Sequence, residues 1–172
     1  MEIQSFHEPQ SGTWTHLIAD PGKQRAVIID PVLVFDSVSG LVDTTFIDKV
    51  LNQASQSGYI VDWVLETHAH ADHLTAADLI RRRTGAKIAC SAGICGVQEN
   101  FVRVFNMTDT ETDGSQFDRL LKEGDVIKLG CLDIRVMETP GHTGDSIVYL
   151  VGNAAFIGDT LFAPAFGSAR CD

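Results

Sequence analysis

Residues 68–73 read His-Ala-His-Ala-Asp-His, so three imidazoles and a carboxylate occupy six consecutive positions. Half of the six histidines in the chain are here. The segment follows residues 61–67, which read as a strand, so the polar cluster is expected at a strand end. His68 and His70 are two residues apart and in an extended segment point to the same side. Asp72 and His73 come where the chain is expected to turn into a helix, and can fold over toward the same point. Imidazole and carboxylate are ordinary ligands of zinc and iron. Two later residues complete the set. His142 follows the turn dipeptide Pro140-Gly141, and Asp159 follows a strand over 154–157 and a glycine. Three strand ends can thus converge on one metal pocket, with His68, His70, Asp72, His73, His142 and Asp159 as candidate ligands. One histidine alone would read as a surface residue; this pattern reverses that reading. His7 and His16 stand singly in N-terminal strands and are read as structural.

The surrounding pattern is strand-rich α/β. Residues 2–7 and 13–19 alternate as a strand pair with a turn over 9–12. Ala26 to Ile29 is a short buried strand closed by Asp30-Pro31. Thr44 to Ser57 has helical spacing and Gly58 ends it. A second helix is expected over 73–83, with Arg81, Arg82 and Arg83 complementing its dipole and Gly85 as its stop. Residues 86–89 form a further strand. The stretch 96–122 shows no clear period, and 107–116 reads as a loop. Short strands resume at 126–129, 132–137, 146–151 and 154–157, the last two joined by a hairpin turn. No linker or repeat divides the chain, which reads as a single domain over 1–172.

The net charge of -10 argues against a nucleic-acid partner. No run of eighteen apolar residues exists, so no membrane span is expected. The N-terminus lacks an apolar signal segment, and the protein is expected to be cytoplasmic. Cys90, Cys95, Cys131 and Cys171 have no zinc-ribbon or C-x-x-C spacing and read as free, mostly buried thiols. Cys171 lies near the candidate site in sequence.

Thr67-His68-Ala69-His70-Ala71-Asp72-His73 resembles the T-H-x-H-x-D-H motif of the metallo-β-lactamase superfamily. Asp30 after an apolar strand, His142 and Asp159 resemble its other ordered motifs. The resemblance implies an αββα four-layer sandwich with metals at one edge of the two sheets. Within it, the segments 65–73, 113–118 and 158–172 look like bacterial persulfide dioxygenases, whose loop after the Asp ends Arg-x-Asp. That likeness implies one Fe(II) per chain held by His68, His142 and Asp159, with His70, Asp72 and His73 nearby and Asp72 as the catalytic candidate. Arg170 and Asp172 would contact substrate, the arginine gripping a carboxylate. The implied reaction oxidises the terminal sulfur of glutathione persulfide with O₂, releasing sulfite and glutathione. A homodimer is allowed; nucleic acid and membrane are not expected partners. The alternative is a glyoxalase II-like thioester hydrolase with one or two Zn(II). There His68, His70 and His142 hold one metal, Asp72 and His73 the other, and Asp159 bridges. A third reading is an inactive metal-binding fragment. Dinuclear members carry a further histidine after the position of Asp159, and this sequence has none, so it is expected to lack the family's C-terminal portion.

Overall fold

The computed structural model describes residues 1–70 and 72–166. Clustering of its contacts gives two compact units. The first is built from residues 1–66, 70–88 and 128–132; the second from 67–69, 89–127 and the chain from 133 on.

The first unit opens with the expected hairpin of β1 (Glu2–His7) and β2 (Trp14–Asp20), in register from Glu2↔Ala19 to His7↔Trp14. The Glu8 carboxylate organises the turn by accepting the amides of Gln10 at 3.0 Å and Ser11 at 2.6 Å. Next come β3 (Arg25–Ile29), β4 (Val32–Phe35), β5 (Val42–Asp43), α1 (Thr45–Gln56) and β6 (Ile60–Leu65). Strand β3 pairs antiparallel with β2 and parallel with β6, from Arg25↔Ile60 to Ile29↔Leu65. A parallel pair needs a long crossover, and the segment containing α1 supplies it. Helix α1 forms where the spacing predicts it; its buried face is Ile47, Val50 and Ala54, and Gly58 at φ +73° lets the chain leave it. Strand β3 is buried on both faces, which is why Ala26 to Ile29 is an unbroken apolar run. Ile28 is fully buried. Ile28→Ala should therefore lower unfolding stability by about 2–5 kcal/mol in a urea titration.

The helix expected from residue 73 begins later. Leu74 and Thr75 form a two-residue strand, β7 (Leu74–Thr75), paired with Leu33 and Val32 of β4. The Ala76 amide continues the pairing to the Pro31 carbonyl at 2.8 Å. Extended pairing thus holds the chain until α2 (Ala77–Thr84), which ends at Gly85 with φ +77° as expected.

Strand β8 (Lys87–Ser91) leads the chain onward to α3 (Ile94–Phe105), β9 (Arg119–Leu121) and the strands β10 (Val126–Leu129), β11 (Leu132–Glu138), β12 (Ile147–Val151) and β13 (Ala154–Phe156), all in the second unit except residues 87–88 of β8, 128–129 of β10 and 132 of β11. Residues 89–91 of β8 run parallel to β9. Strands β10 to β13 follow one another in a four-stranded sheet. Ile134, Val136, Ile147, Tyr149 and Val151 are buried in its core. The β12–β13 turn closes at Val151↔Ala154 with Gly152 at φ +59°.

Helix α3 falls largely in the stretch 96–122 that was expected to show no clear period, and corrects that expectation. Among its residues only Ile94 is buried, whereas Phe101, Val104 and Phe105 are exposed. Ile94, Val97, Phe101, Val104 and Phe105 nevertheless recur at three- and four-residue spacing, so a helical period is present in the sequence without a matching buried face. Among the described residues there are three α-helices and thirteen strands, the mixed α/β class expected. None of those helices is long and apolar enough to cross a membrane.

Candidate metal centre

In the second unit, His68, His142 and Asp159 each present a ligand atom within 4.8 Å of the others. His68 follows the end of β6 and is 4% exposed. Both peptide groups beside it are tied down. The Thr67 carbonyl accepts the Ile147 amide at 2.8 Å, and the Ala69 amide donates to Asp145 Oδ2 at 2.8 Å. His142 stands on the loop from β11 to β12, closed by Thr139 N–H to Ser146 O at 2.9 Å and Thr143 N–H to Ser146 Oγ at 3.1 Å. Asp159 sits in the 3₁₀ turn Gly158–Thr160, and the Thr160 hydroxyl is 2.9 Å from that of Thr139. The His68 and His142 rings meet edge to face with centroids 5.0 Å apart, and His142 Nε2 is 3.5 Å from Asp159 Oδ2.

The remaining predicted residues gather in the first unit. Asp30 follows β3 at φ +48°, uncommon for a residue with a side chain. Its amide donates to the Leu65 carbonyl at 3.0 Å, and its own carbonyl accepts the Thr15 hydroxyl at 2.8 Å. Asp30 Oδ1 lies 3.4 Å from His70 Nε2, and Glu66 Oε2 lies 3.8 Å from the same nitrogen. The Thr75 hydroxyl donates to Glu66 Oε1. Burial first, and then the negative charge of Asp30, push the Glu66 carboxyl up to about 8. The His73 ring lies 4.2 Å from that of His70, centroid to centroid, with Nδ1 3.2 Å from Asp72 Oδ1 and 3.3 Å from the Thr13 hydroxyl. Burial, followed by the neighbouring His70, lowers the His73 pKa. His73 Nε2 is buried with no hydrogen-bond partner among the described residues. The Asp72 side chain, by contrast, is 72% exposed.

The sequence thus marks every residue of these groups except Glu66, and the structure gives His68 and His70 different company. His68 joins His142 and Asp159; His70 groups both with Asp72 and His73 and with Asp30 and Glu66. The signal for Glu66 was its place at the end of an apolar strand, where an acid two residues before a histidine is carried inward. Asp145 was also missed; it is an acid immediately ahead of a strand whose residues are mostly buried. Arg170, Cys171 and Asp172 lie outside the described residues. His7 packs on Trp14 at 4.9 Å and His16 Nδ1 is 2.8 Å from the Ser5 hydroxyl, so both have structural contacts. Cys90, Cys95 and Cys131 are outside any disulfide, but among them only Cys90 is buried, fewer than expected; Cys131 is exposed in the turn after β10.

Two imidazoles and one carboxylate within reach of one point fit a single divalent ion and leave part of its coordination sphere to other ligands. The orphaned His73 nitrogen is a donor set for which an ion is one natural partner. The residues present therefore fit metal binding.

A family model described as the Metallo-beta-lactamase superfamily matches residues 11–171. The chain is 44% identical over 170 residues to a Beta-lactamase hydrolase-like protein of Agrobacterium fabrum, covering 99% of this chain and 39% of that protein. It is 28% identical to the mitochondrial Persulfide dioxygenase ETHE1 of Bos taurus, covering 96% of this chain and 54% of that one. The crystal structure of ETHE1 from Myxococcus xanthus superposes with a TM-score of 0.73 at 31% identity, over 95% of this chain and 59% of that chain. The chain thus spans 39% to 54% of the length of these two curated relatives.

Proposed function

The chain belongs to the metallo-beta-lactamase superfamily and has its mixed α/β fold, and on that premise we propose that it works as a persulfide dioxygenase. The observation that carries the reading is the grouping of His68, His142 and Asp159 as two imidazoles and one carboxylate, while His70 faces Asp30 at 3.4 Å. That donor set is the one non-haem iron oxygenases use. The likeness to proteins named persulfide dioxygenase and ETHE1 supports it.

In this reading His68, His142 and Asp159 hold one Fe(II), which when bound supplies the redox chemistry with O₂. The overall reaction balances as GSSH + O₂ + H₂O → GSH + H₂SO₃. The terminal sulfur loses four electrons and O₂ gains them. The protein's part is to hold the ligands and orient the substrate. The two hydrogen bonds beside His68 fix its backbone, and the Thr139–Thr160 hydroxyl contact ties the His142 loop to the turn bearing Asp159. Asp72, exposed and beside His73, is the group of its cluster most open to solvent and substrate, and the candidate catalytic residue of this reading. Arg170 and Asp172 are the proposed contacts for the carboxylate and ammonium of a glutathione moiety.

A second reading has its own observation. His70, Asp72 and His73 also converge within 4.8 Å, as a second metal requires, and the relative from Agrobacterium fabrum is named hydrolase-like. A dinuclear zinc hydrolase of a glutathione thioester would use both groups. Anaerobic purification, metal analysis and O₂ uptake with glutathione persulfide separate the two. The expected result is iron near one per chain with O₂ consumed. Zinc with thioester hydrolysis and no O₂ uptake would overturn the dioxygenase reading.

A further inference from the structure

Asp145 is 1% exposed, and its carboxylate does two unlike things. Oδ2 accepts the Ala69 amide at 2.8 Å, and Oδ1 is buried with no hydrogen-bond partner among the described residues. A half-satisfied buried carboxylate is costly, so a gain elsewhere has to offset it. The gain is visible in what the residue joins. Asp145 lies three positions after His142, on the same loop. Ala69 follows His68 directly. Two residues on, the Ile147 amide reaches the Thr67 carbonyl at 2.8 Å. The loop carrying one histidine therefore grips the peptide groups on both sides of the other.

The neighbourhood is built to keep Asp145 where it is. A Cβ at Gly93 would stand 2.8 Å from Asp145 Cα and 3.0 Å from its Cβ, so the turn before α3 packs on it as only glycine allows. The Gly93 amide is itself held by Ser91 Oγ at 3.0 Å. On the other flank, the Ser146 and Thr143 hydroxyls are 2.7 Å apart and close the loop on itself. Of the contacts to the His68 peptides, the Ile147 one is main chain to main chain and survives most substitutions. The Asp145 one depends on a side chain.

We propose that Asp145 is a positioning residue that sets the separation of His68 and His142 by holding the Ala69 amide, an inference that rests on reading those histidines with Asp159 as the metal set. It touches no metal and no substrate. Its effect is on how well two ligands are already placed when an ion arrives, the kind of outer contact whose loss weakens metal affinity by about 10–100-fold.

The test uses Co(II) as the probe, because its visible absorption reports ligand geometry apart from any turnover. Asp145→Ala should weaken Co(II) binding by about 10–100-fold and alter the visible bands of the loaded protein. Asp145→Asn keeps an oxygen that can accept the Ala69 N–H, and should recover most of the affinity and the parent spectrum. Parent affinity and spectrum in Asp145→Ala would overturn the proposal, as would an asparagine variant as weak as the alanine one. Should Asp145→Ala not fold, Asp145→Glu replaces it. A carboxylate displaced by one methylene should bind Co(II) more weakly than asparagine does, and the reverse order would overturn the proposal. His68→Ala separates this from the premise. If His68→Ala still binds Co(II) with the parent affinity and visible spectrum, the metal reading itself fails. If it does not, while Asp145→Ala behaves like the parent, only the positioning role fails.

Discussion

Asp159→Ala is expected to abolish stoichiometric metal binding and turnover together. Asp159 supplies the single carboxylate of the group that includes His68 and His142, so its removal leaves two imidazoles. Outer contacts to a metal site cost about 10–100-fold in affinity when lost, and loss of a direct ligand should exceed that. The fold should hardly notice. Asp159 is 38% exposed and sits in a short 3₁₀ turn, so the metal-free variant should unfold within about 0.5 kcal/mol of the parent. A melting curve exposes the difference. The parent gains about 2.7 kcal/mol at a metal concentration one hundred times its Kd, and the variant gains nothing. The iron reading and the dinuclear zinc reading both require Asp159, so a variant that keeps its metal and its activity would defeat both.

The elements of the fold were legible where burial imposes a period. The β1–β2 hairpin, β3 and α1 show alternation, an apolar run and helical spacing because each buries a defined face. Legibility failed where burial and pattern part company. Helix α3 carries its apolar residues at helical spacing but leaves Phe101 and Phe105 exposed, their ring centroids 5.5 Å apart, so its period is not matched by burial. Strand β7 is two residues long, and pairing with β4 rather than local propensity sets it. The ligand types of the site were legible because histidine and aspartate at strand ends have few other uses. Its supporting residues were not. Glu66 and Asp145 read as ordinary acids, and only burial beside His70 and Ala69 gives them a role. A sequence records which side chains can bind an ion more openly than which ones hold those side chains still.

Gly158→Ala should damage fold and site at once, because this glycine lies where the metal group closes. Its φ of +48° is in the left-handed region, and a Cβ there would stand 2.3 Å from Thr67 Oγ1, 2.9 Å from Thr67 Cβ and 3.3 Å from His68 Nδ1. Thr67 cannot easily give way. It is 1% exposed, its β-branched side chain is stiff about χ1, and its hydroxyl is 3.0 Å from His68 Nδ1. A methyl group must therefore push Thr67 and His68 one way or the turn bearing Asp159 the other. The backbone strain is worth about 1–2 kcal/mol and the overpacking about 1–3 kcal/mol. Chemical denaturation should accordingly show a loss of about 2–5 kcal/mol. Metal affinity should fall as well, by at least the roughly 10-fold that marks a displaced ligand shell. Adding Thr67→Ala removes the overlap with the hydroxyl but leaves the strain and the 2.9 Å approach to the Cβ of residue 67. The double variant should thus recover metal affinity more than stability. If Gly158→Ala binds metal and unfolds like the parent, the close approach of this turn to Thr67 is not what sets the site. If the double variant recovers neither, left-handed strain and the close approach to the Cβ of residue 67, rather than overlap with the hydroxyl, are the dominant cost.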